Sequence, residues 1–263
     1  MDLGLEGRRA IVLASSKGLG YAVAHGLSRE GAQVVVSSSH QGRCDEAAAR
    51  IAEETGGRVV GIAADMFDAG AVDRLADSAE EALGGIDILV INHAGPALGL
   101  AAAIDLDALH EQFEMVVASP IRLIRRLLPG MRERRWGRIL SMGGISLIAA
   151  LPNKVMDNTL RPALVNYLKA LSNEVAADNV TANVVVPGTF VTERVHSSTK
   201  ANADLWDITV EEAMADRIRN IPAGRFGELE EFAALAAFLV SDGAGYMTGS
   251  VWRSDGGAVR SVL

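Results

Sequence analysis

The stretch Arg9–Gly20, RAIVLASSKGLG, joins an apolar run to a glycine-containing turn and then to a helical pattern. The apolar run Arg9–Leu13 predicts a short strand, and the spacing of apolar residues from Gly18 predicts a helix that ends before Gly31. A helix that begins directly after such a turn directs free backbone N–H groups and the positive end of its dipole at the turn. The stretch therefore predicts an anion site that suits a phosphate, although glycines also serve tight turns that bind nothing.

Strand-like and helix-like segments alternate from this stretch to the end of the chain. The strand segments are short and rich in valine and isoleucine, and helical patterns separate them. This order predicts a parallel sheet that helices cover on both faces. The expected strands are 9–13, 34–36, 58–63, 86–91, 138–142, 181–186 and 249–253, and the later helices are 47–54, 72–83, 109–134 (with a break near Pro120 left open), 155–177 and 230–240.

We therefore expect one α/β domain over residues 1–263, built on a doubly wound, Rossmann-like parallel sheet. The one long stretch without a regular pattern runs from Thr189 to about Asp207 and is rich in Ser, Thr, Asn and Lys. It predicts a flexible loop region over about 189–220, and irregular loops of that length usually act as lids or binding loops.

Composition and charge exclude several classes of protein. The chain has 263 residues, of which 49% are hydrophobic, and its 25 basic against 33 acidic residues give a net charge of −8. An acidic chain is a poor partner for nucleic acid, and no apolar run reaches the roughly 18–20 residues of a membrane span. The single cysteine, Cys44, and a start without a signal-peptide pattern predict a cytoplasmic protein. No metal is expected, because the five histidines lack ligand spacing.

Six further segments follow the phosphate turn in a fixed order along nearly the whole chain. They are Asp65, Asp87–Ala94, Gly137–Ile139, Pro187–Thr192, Gly224–Gly227 and Asp255–Gly257. The turn itself, Leu13–Gly20, corresponds to the general pattern TGxxxGxG. In this order they resemble the motifs of the short-chain dehydrogenase/reductase family. The resemblance implies an enzyme that moves a hydride between a nicotinamide dinucleotide and an alcohol or carbonyl carbon. It also implies a homodimer or homotetramer acting on a small-molecule substrate, which the sequence does not identify.

The resemblance assigns a cofactor site in which the first turn glycine is replaced by Ala14. The second strand ends in Ser37–His40, without the acidic residue that binds a ribose 2′-hydroxyl in NAD sites. Lys17, with Arg43 and two serines nearby, suits a 2′-phosphate, so NADP(H) is favoured over NAD(H), and binding of no dinucleotide stays open. The expected cofactor-binding residues are Ala14, Ser16, Lys17, Gly18, Leu19, Gly20, Ser38, Ser39, Asp65, Met66, Asn92, His93, Ala94, Pro187, Gly188, Thr189 and Thr192.

The catalytic positions depart from the family pattern. Enzymes of the family use a Ser, a Tyr, a Lys four residues after the Tyr, and an Asn on a preceding helix. In this chain these positions fall on Gly144, Asp157, Arg161 and Val116 respectively. Asp157 and Arg161 share a helix face at this spacing. They are interpreted either as a structural salt bridge or as catalytic candidates, with Asp157 as a proton carrier and Arg161 as a clamp for a planar anion.

Two more residues are candidates for the missing groups. Ser146 shares a strand face with Gly144 by alternation and could supply a hydroxyl. His93 lies in the turn after the fourth strand and titrates near neutral pH, so it could carry a proton. For both residues the favoured interpretation is structural: a hydrogen-bonded serine at the strand end and a hydrogen-bonded histidine in the turn. Tyr167 does not restore the set, because Lys169 two residues later points to another side of the helix.

Three functions remain open on this sequence. The first is an NADP(H)-dependent oxidoreductase with a non-standard catalytic site. The second is a catalytically silent member that binds a ligand or a partner subunit. The third is a non-redox acid/base enzyme, of lyase or isomerase type, that uses Asp157 and Arg161 in the same cleft.

Overall fold

Seven parallel strands form one sheet in the described part of the computed structural model. The model describes residues 2–261 and, within them, all side chains except those of Arg194, Ser198, Ala201, Asn202 and Leu205. The strands are β1 Arg9–Leu13, β2 Gln33–Ser38, β3 Val59–Ala63, β4 Ile88–Ile91, β5 Gly137–Met142, β6 Val180–Pro187 and β7 Val251–Ser254. Their order is β3-β2-β1-β4-β5-β6-β7, with every neighbouring pair parallel. The predicted doubly wound α/β fold is confirmed, while Met1 and residues 262–263 of the expected domain lie outside the described residues.

Helices cover both faces of the sheet, as the apolar strands require. On one face lie α1 Gly18–Arg29, α2 Gln41–Thr55 and α9 Leu229–Leu239, and their apolar sides form one buried cluster with the sheet. On the other face lie α3 Ala69–Leu83, α5 Ser119–Glu133 and α6 Val155–Val175, which form the second cluster. The strand order reverses between β1 and β4, and in open α/β sheets the crevice at the carboxyl ends of such strands binds ligands.

The long helix expected over 109–134 is divided into three parts. It begins as α4 Leu106–Phe113, continues through a π-helical turn at Glu114–Ala118, and becomes α5. Pro120 lies in the first turn of α5, where its missing N–H has a smaller cost than in a helix interior. The interruption predicted near Pro120 is therefore a π-helical turn immediately before the proline, and the chain continues as a helix.

The expectation of an irregular stretch from Thr189 to about Asp207 is wrong in its secondary structure. The region contains α7 Glu193–Trp206 and α8 Val210–Arg219. The Thr192 hydroxyl caps α7, and Thr209 forms a reciprocal capping box with Glu212 at the start of α8. Polar composition hid these helices, because most of their described side chains are exposed and the sequence shows little apolar periodicity. The flexibility expected over 189–220 stays a prediction.

No helix within residues 2–261 combines the length and the apolar character that crossing a membrane requires.

Candidate active site

The turn between β1 and α1 forms a backbone cradle at the carboxyl end of the sheet. Ala14 has a φ of 47°, a left-handed conformation that residues other than glycine rarely adopt. A Cβ at Gly20 would lie 2.4 Å from the carbonyl oxygen of Ala14, so only glycine fits there, whereas the space around Gly18 is open. Lys17, which precedes α1, makes no side-chain cap. The first N–H groups of α1 therefore stay available to an anion, as the sequence predicted.

A polar cavity opens beside this turn, between the start of α1 and α2. Three of its side chains are cationic and one is acidic, so its local charge favours an anion. Arg50 is held in place, because its guanidinium lies 4.4 Å from the ring centroid of Tyr21 and its Nε donates a 2.8 Å hydrogen bond to the Tyr21 hydroxyl. The cavity is lined by Ser16, Lys17, Arg43, Glu46, Ala47 and Arg50.

The sequence analysis did not name Arg50, which lines this cavity, and the role that it gave to Ser38 and Ser39 stays a prediction. Arg43 and Arg50 are seven residues apart on α2, two helical turns, and this spacing could have shown that they share a face. Ser38 is bonded within the protein instead, since its Oγ lies 3.1 Å from Cys44 Sγ. Neither Ser38 nor the exposed Ser39 lines the cavity.

The ends of β3 and β4 bring further predicted residues to the same edge of the sheet. Asn92 Nδ2 donates a 3.2 Å hydrogen bond to the Ala14 carbonyl oxygen and so ties β4 to the phosphate turn. Asp65 is exposed, and its carboxylate accepts a hydrogen bond from the Phe67 backbone N–H, while Met66 packs against the apolar clusters. His93 Nδ1 accepts a hydrogen bond from the backbone N–H of Gly95 at 3.1 Å. This contact fits the structural role that was weighed for His93, and it stabilises the turn that ends in the exposed Ala94.

The residues after β6 complete the edge. The Gly188 N–H donates to the Ser254 carbonyl oxygen at 2.8 Å, and a Cβ at Gly188 would lie 2.6 Å from Asp255 Cα, so the segment after Pro187 runs directly along the chain that follows β7. Thr189 lines a second cavity, between this segment and residues 221–227, rather than the one beside Lys17. The Thr192 hydroxyl is already engaged as the cap of α7.

Asp157 and Arg161 form an ion pair in the first turns of α6. Arg161 Nε donates to Asp157 Oδ1 at 2.5 Å, and Arg161 Nη1 donates to the Met142 carbonyl oxygen at the end of β5 at 3.1 Å. Only 11% of the Asp157 side chain and 14% of the Arg161 side chain are exposed. The ion pair predicted from the spacing of four is therefore confirmed, and it connects α6 to the carboxyl end of the sheet.

Two of the other predicted catalytic positions, Gly144 and Ser146, lie beside this pair. A Cβ at Gly144 would lie 3.6 Å from Arg161 Nε and 3.6 Å from Ser146 Oγ, so both side chains border the space that Gly144 leaves. Ser146 belongs to the short 3-10 turn after β5 and is 8% exposed. Val116 is fully buried in the π-helical turn and packs beside α6 in an apolar cluster.

Tyr167 lies further along α6 and is partly buried. It packs against the apolar cluster under the sheet, and burial raises the pKa of its hydroxyl above the ordinary value. A phenol with a raised pKa is a weaker proton donor near neutral pH. The structure therefore agrees with the rejection of Tyr167 as a substitute for the family tyrosine. Among the described residues, no cluster of acidic, histidine or cysteine side chains could hold a metal ion.

Comparison with known proteins places this architecture in a family. A family model described as enoyl-(acyl carrier protein) reductase matches residues 13–259. D-beta-hydroxybutyrate dehydrogenase from Cupriavidus necator is 34% identical over 261 residues, which are 97% of this chain and 99% of the relative. The chain belongs to the short-chain dehydrogenase/reductase family.

Solved structures agree with that assignment over the whole chain. L-sorbose reductase from Gluconobacter frateurii, complexed with NADPH and L-sorbose, superposes with a TM-score of 0.95 and 31% identity over 100% of both chains. A 3-oxoacyl (acyl-carrier-protein) reductase from Agrobacterium tumefaciens with NADP bound gives a TM-score of 0.87 and 30% identity over 97% of this chain and 95% of that chain.

Proposed function

We propose that the protein is an NADP(H)-dependent oxidoreductase that interconverts a carbonyl group and an alcohol. The observation that carries the proposal is the cationic cavity beside the phosphate turn, with Lys17, Arg43 and Arg50 on its walls. A ribose 2′-phosphate distinguishes NADP from NAD, and guanidinium groups match its oxygens. The structures of L-sorbose reductase with NADPH and of the Agrobacterium reductase with NADP support the same choice of nucleotide.

The residues present fit a dinucleotide. The uncapped start of α1 and the open space at Gly18 suit a pyrophosphate, and Asn92 stiffens the cradle through its bond to Ala14. Arg43 and Arg50 would hold the 2′-phosphate. When bound, NADPH supplies the hydride that reduces a carbonyl carbon.

We propose further that the usual Ser, Tyr, Lys and Asn of the family are absent and that Asp157 and Arg161 act in their place. Arg161 donates a hydrogen bond to the substrate oxygen, where negative charge develops as the carbonyl is reduced. Asp157 orients the guanidinium by accepting the 2.5 Å hydrogen bond from Arg161 Nε, and the Met142 carbonyl oxygen accepts a second hydrogen bond from Nη1. The proton that the oxygen requires comes from solvent. Val116 leaves an apolar wall where the family carries a polar side chain.

Calorimetric titration of nucleotide-free protein with NADPH and with NADH tests the cofactor. We expect micromolar binding of NADPH and at least tenfold weaker binding of NADH. The double variant Arg43→Ala/Arg50→Ala should lose at least about 100-fold in NADPH affinity, because hydrogen bonds to charged groups contribute about 1.5–3 kcal/mol each and two of them are removed. The affinity of the double variant for NADH should stay within about threefold of the affinity of the parent protein.

A matched control is Arg122→Ala, which removes an exposed arginine on α5 that pairs with Asp73 instead of lining the cavity. It should bind NADPH like the parent. Absence of binding of either nucleotide at millimolar concentration would overturn the proposal.

A catalytically silent protein is the second candidate function, and the ion pair favours it over the non-redox one. Asp157 already accepts a hydrogen bond from Arg161, which reduces its value as a free general base. Binding of NADPH without oxidation of it by any carbonyl compound would support the silent protein. Turnover that persists without nucleotide would support the lyase or isomerase.

A further inference from the structure

Three polar atoms at the end of β5 have no hydrogen-bond partner among the described residues. They are Asp157 Oδ2, Arg161 Nη2 and Ser146 Oγ, since the contacts of the pair use Asp157 Oδ1, Arg161 Nε and Arg161 Nη1. None of the three is among the fully buried unpartnered atoms of the described chain, so solvent reaches each of them. Because no protein group occupies these three atoms and solvent reaches them, each can form a hydrogen bond with a ligand.

Two of these side chains, Ser146 and Arg161, face one common space. Gly144 has no side chain, and its missing Cβ would be equally distant, at 3.6 Å, from Ser146 Oγ and from Arg161 Nε. Asp157 is joined to Arg161 on the same face of α6. A guanidinium donor and a hydroxyl that can donate or accept therefore border a gap left by the absence of one side chain, and a carboxylate acceptor is bonded to that guanidinium.

The charge of this group selects against an anionic ligand. The negative charge of the Asp157 carboxylate and the positive charge of the Arg161 guanidinium cancel. A substrate carboxylate would be repelled by Asp157 Oδ2 while it accepts a hydrogen bond from Arg161. A neutral ligand that carries both a carbonyl oxygen and a hydroxyl avoids this repulsion. Its carbonyl oxygen accepts from Arg161 Nη2, and its hydroxyl donates to Asp157 Oδ2 while Ser146 serves a second hydroxyl.

We propose that the substrates are uncharged hydroxy-ketones and the polyols formed from them, recognised by Ser146, Asp157 and Arg161 together. The inference rests on the proposed function. In the reaction the carbonyl carbon gains a hydride from NADPH, the π electrons move to the oxygen, and solvent supplies the proton. The ketone is reduced to an alcohol and NADPH is oxidised to NADP⁺. The hydroxyl next to the reacting carbon takes no part in the electron balance and serves recognition alone.

Three small probes separate the alternatives: dihydroxyacetone, which is neutral and hydroxylated, acetone, which lacks hydroxyls, and pyruvate, which is anionic. Binding to nucleotide-free protein is measured by saturation-transfer NMR, and kcat/KM is measured by the absorbance of NADPH. We expect dihydroxyacetone to exceed both other probes by at least about tenfold in each measurement, because a site with polar groups rejects ligands that leave them unpaired. Equal binding of acetone, or preference for pyruvate, overturns the inference.

Two variants test whether the preference for dihydroxyacetone over acetone depends on the side chains of Ser146 and Asp157. Ser146→Ala and Asp157→Asn should each reduce the advantage of dihydroxyacetone over acetone by about 3- to 10-fold, with NADPH affinity unchanged. Circular dichroism confirms that each variant is folded, and the probe ratio in the parent protein decides the inference even where a variant is not. If NADPH does not bind, the proposed function fails, while the NMR ranking of the probes still decides the substrate class.

Discussion

A double-mutant cycle on Asp157 and Arg161 distinguishes a structural salt bridge from a working site. Asp157→Asn removes the negative charge beside Arg161 Nε, to which Asp157 Oδ1 is bonded at 2.5 Å, and leaves a guanidinium that is only 14% exposed with neutral acceptors alone, the amide oxygen and the Met142 carbonyl oxygen. Exposed ion pairs contribute about 0.2–1 kcal/mol, and removing one partner of a fully buried pair costs about 3–5 kcal/mol. Because this pair lies between those limits, we expect the free energy of unfolding to fall by about 2 kcal/mol.

Arg161→Met should cost a similar amount, and the double variant should lose about 1–2 kcal/mol less than the sum of the two single variants, since the pair is lost only once. Urea unfolding followed by circular dichroism measures all four proteins. The exposed pair Lys200–Asp204, with the same spacing of four and a distance of 3.3 Å, is the matched control and should couple by only about 0.3–0.5 kcal/mol.

Two results would refute this reasoning. A coupling energy for Asp157 and Arg161 no larger than that of the control pair would mean that the buried ion pair has no special energetic role. If folded Arg161→Met protein reduces a carbonyl substrate as fast as the parent protein does, the pair is structural only. Loss of turnover in Arg161→Met, at temperatures where the variant stays folded, is the outcome we expect.

Three further perturbations follow from single contacts. Glu193→Gln removes the carboxylate 3.5 Å from Lys17 Nζ, so NADPH should bind about two- to fivefold tighter by calorimetry, and an unchanged affinity would contradict a competition for Lys17. Gly144→Ser should change stability by no more than about 0.5 kcal/mol in thermal unfolding, because its φ of −163° is extended and its Cβ has room; a large drop in Tm would show that the space is not available. Asp87→Asn should destabilise the protein at pH 7 by about 2 kcal/mol and by progressively less as the pH falls below about 3.9, as urea unfolding across pH would show.

The sign of the pH effect at Asp87 follows from its surroundings. Burial opposes ionisation, but the hydrogen bond and charge of Arg9, with the charge of Arg134, outweigh it and hold the pKa of Asp87 below its ordinary value. A carboxyl group with a depressed folded-state pKa contributes stability above its unfolded pKa of about 3.9 and loses it as pH falls through the folded pKa. An equal loss of stability at pH 7 and pH 2 would mean that Asp87 acts through packing rather than charge.

The fold could be predicted from local patterns because each strand of a buried parallel sheet is a short apolar run. β1, β2 and β5 were located within two residues of their ends for this reason, whereas α7 and α8 were missed because they are polar and exposed. A usable signal existed for α8, since Thr209 and Glu212 have the spacing of a capping box.

The sequence by itself determined the alternation of strands and helices, the phosphate turn and the spacing of four between Asp157 and Arg161. These are local properties, governed by periodicity and by the conformational freedom of glycine. Only the tertiary structure decided that Ser38 is bonded to Cys44 while Arg50 lines the cavity beside the phosphate turn, and that Ser146 and Arg161 border the space at Gly144. Such contacts join segments far apart in the chain, and their distances depend on how the helices pack across the sheet rather than on any neighbouring residues.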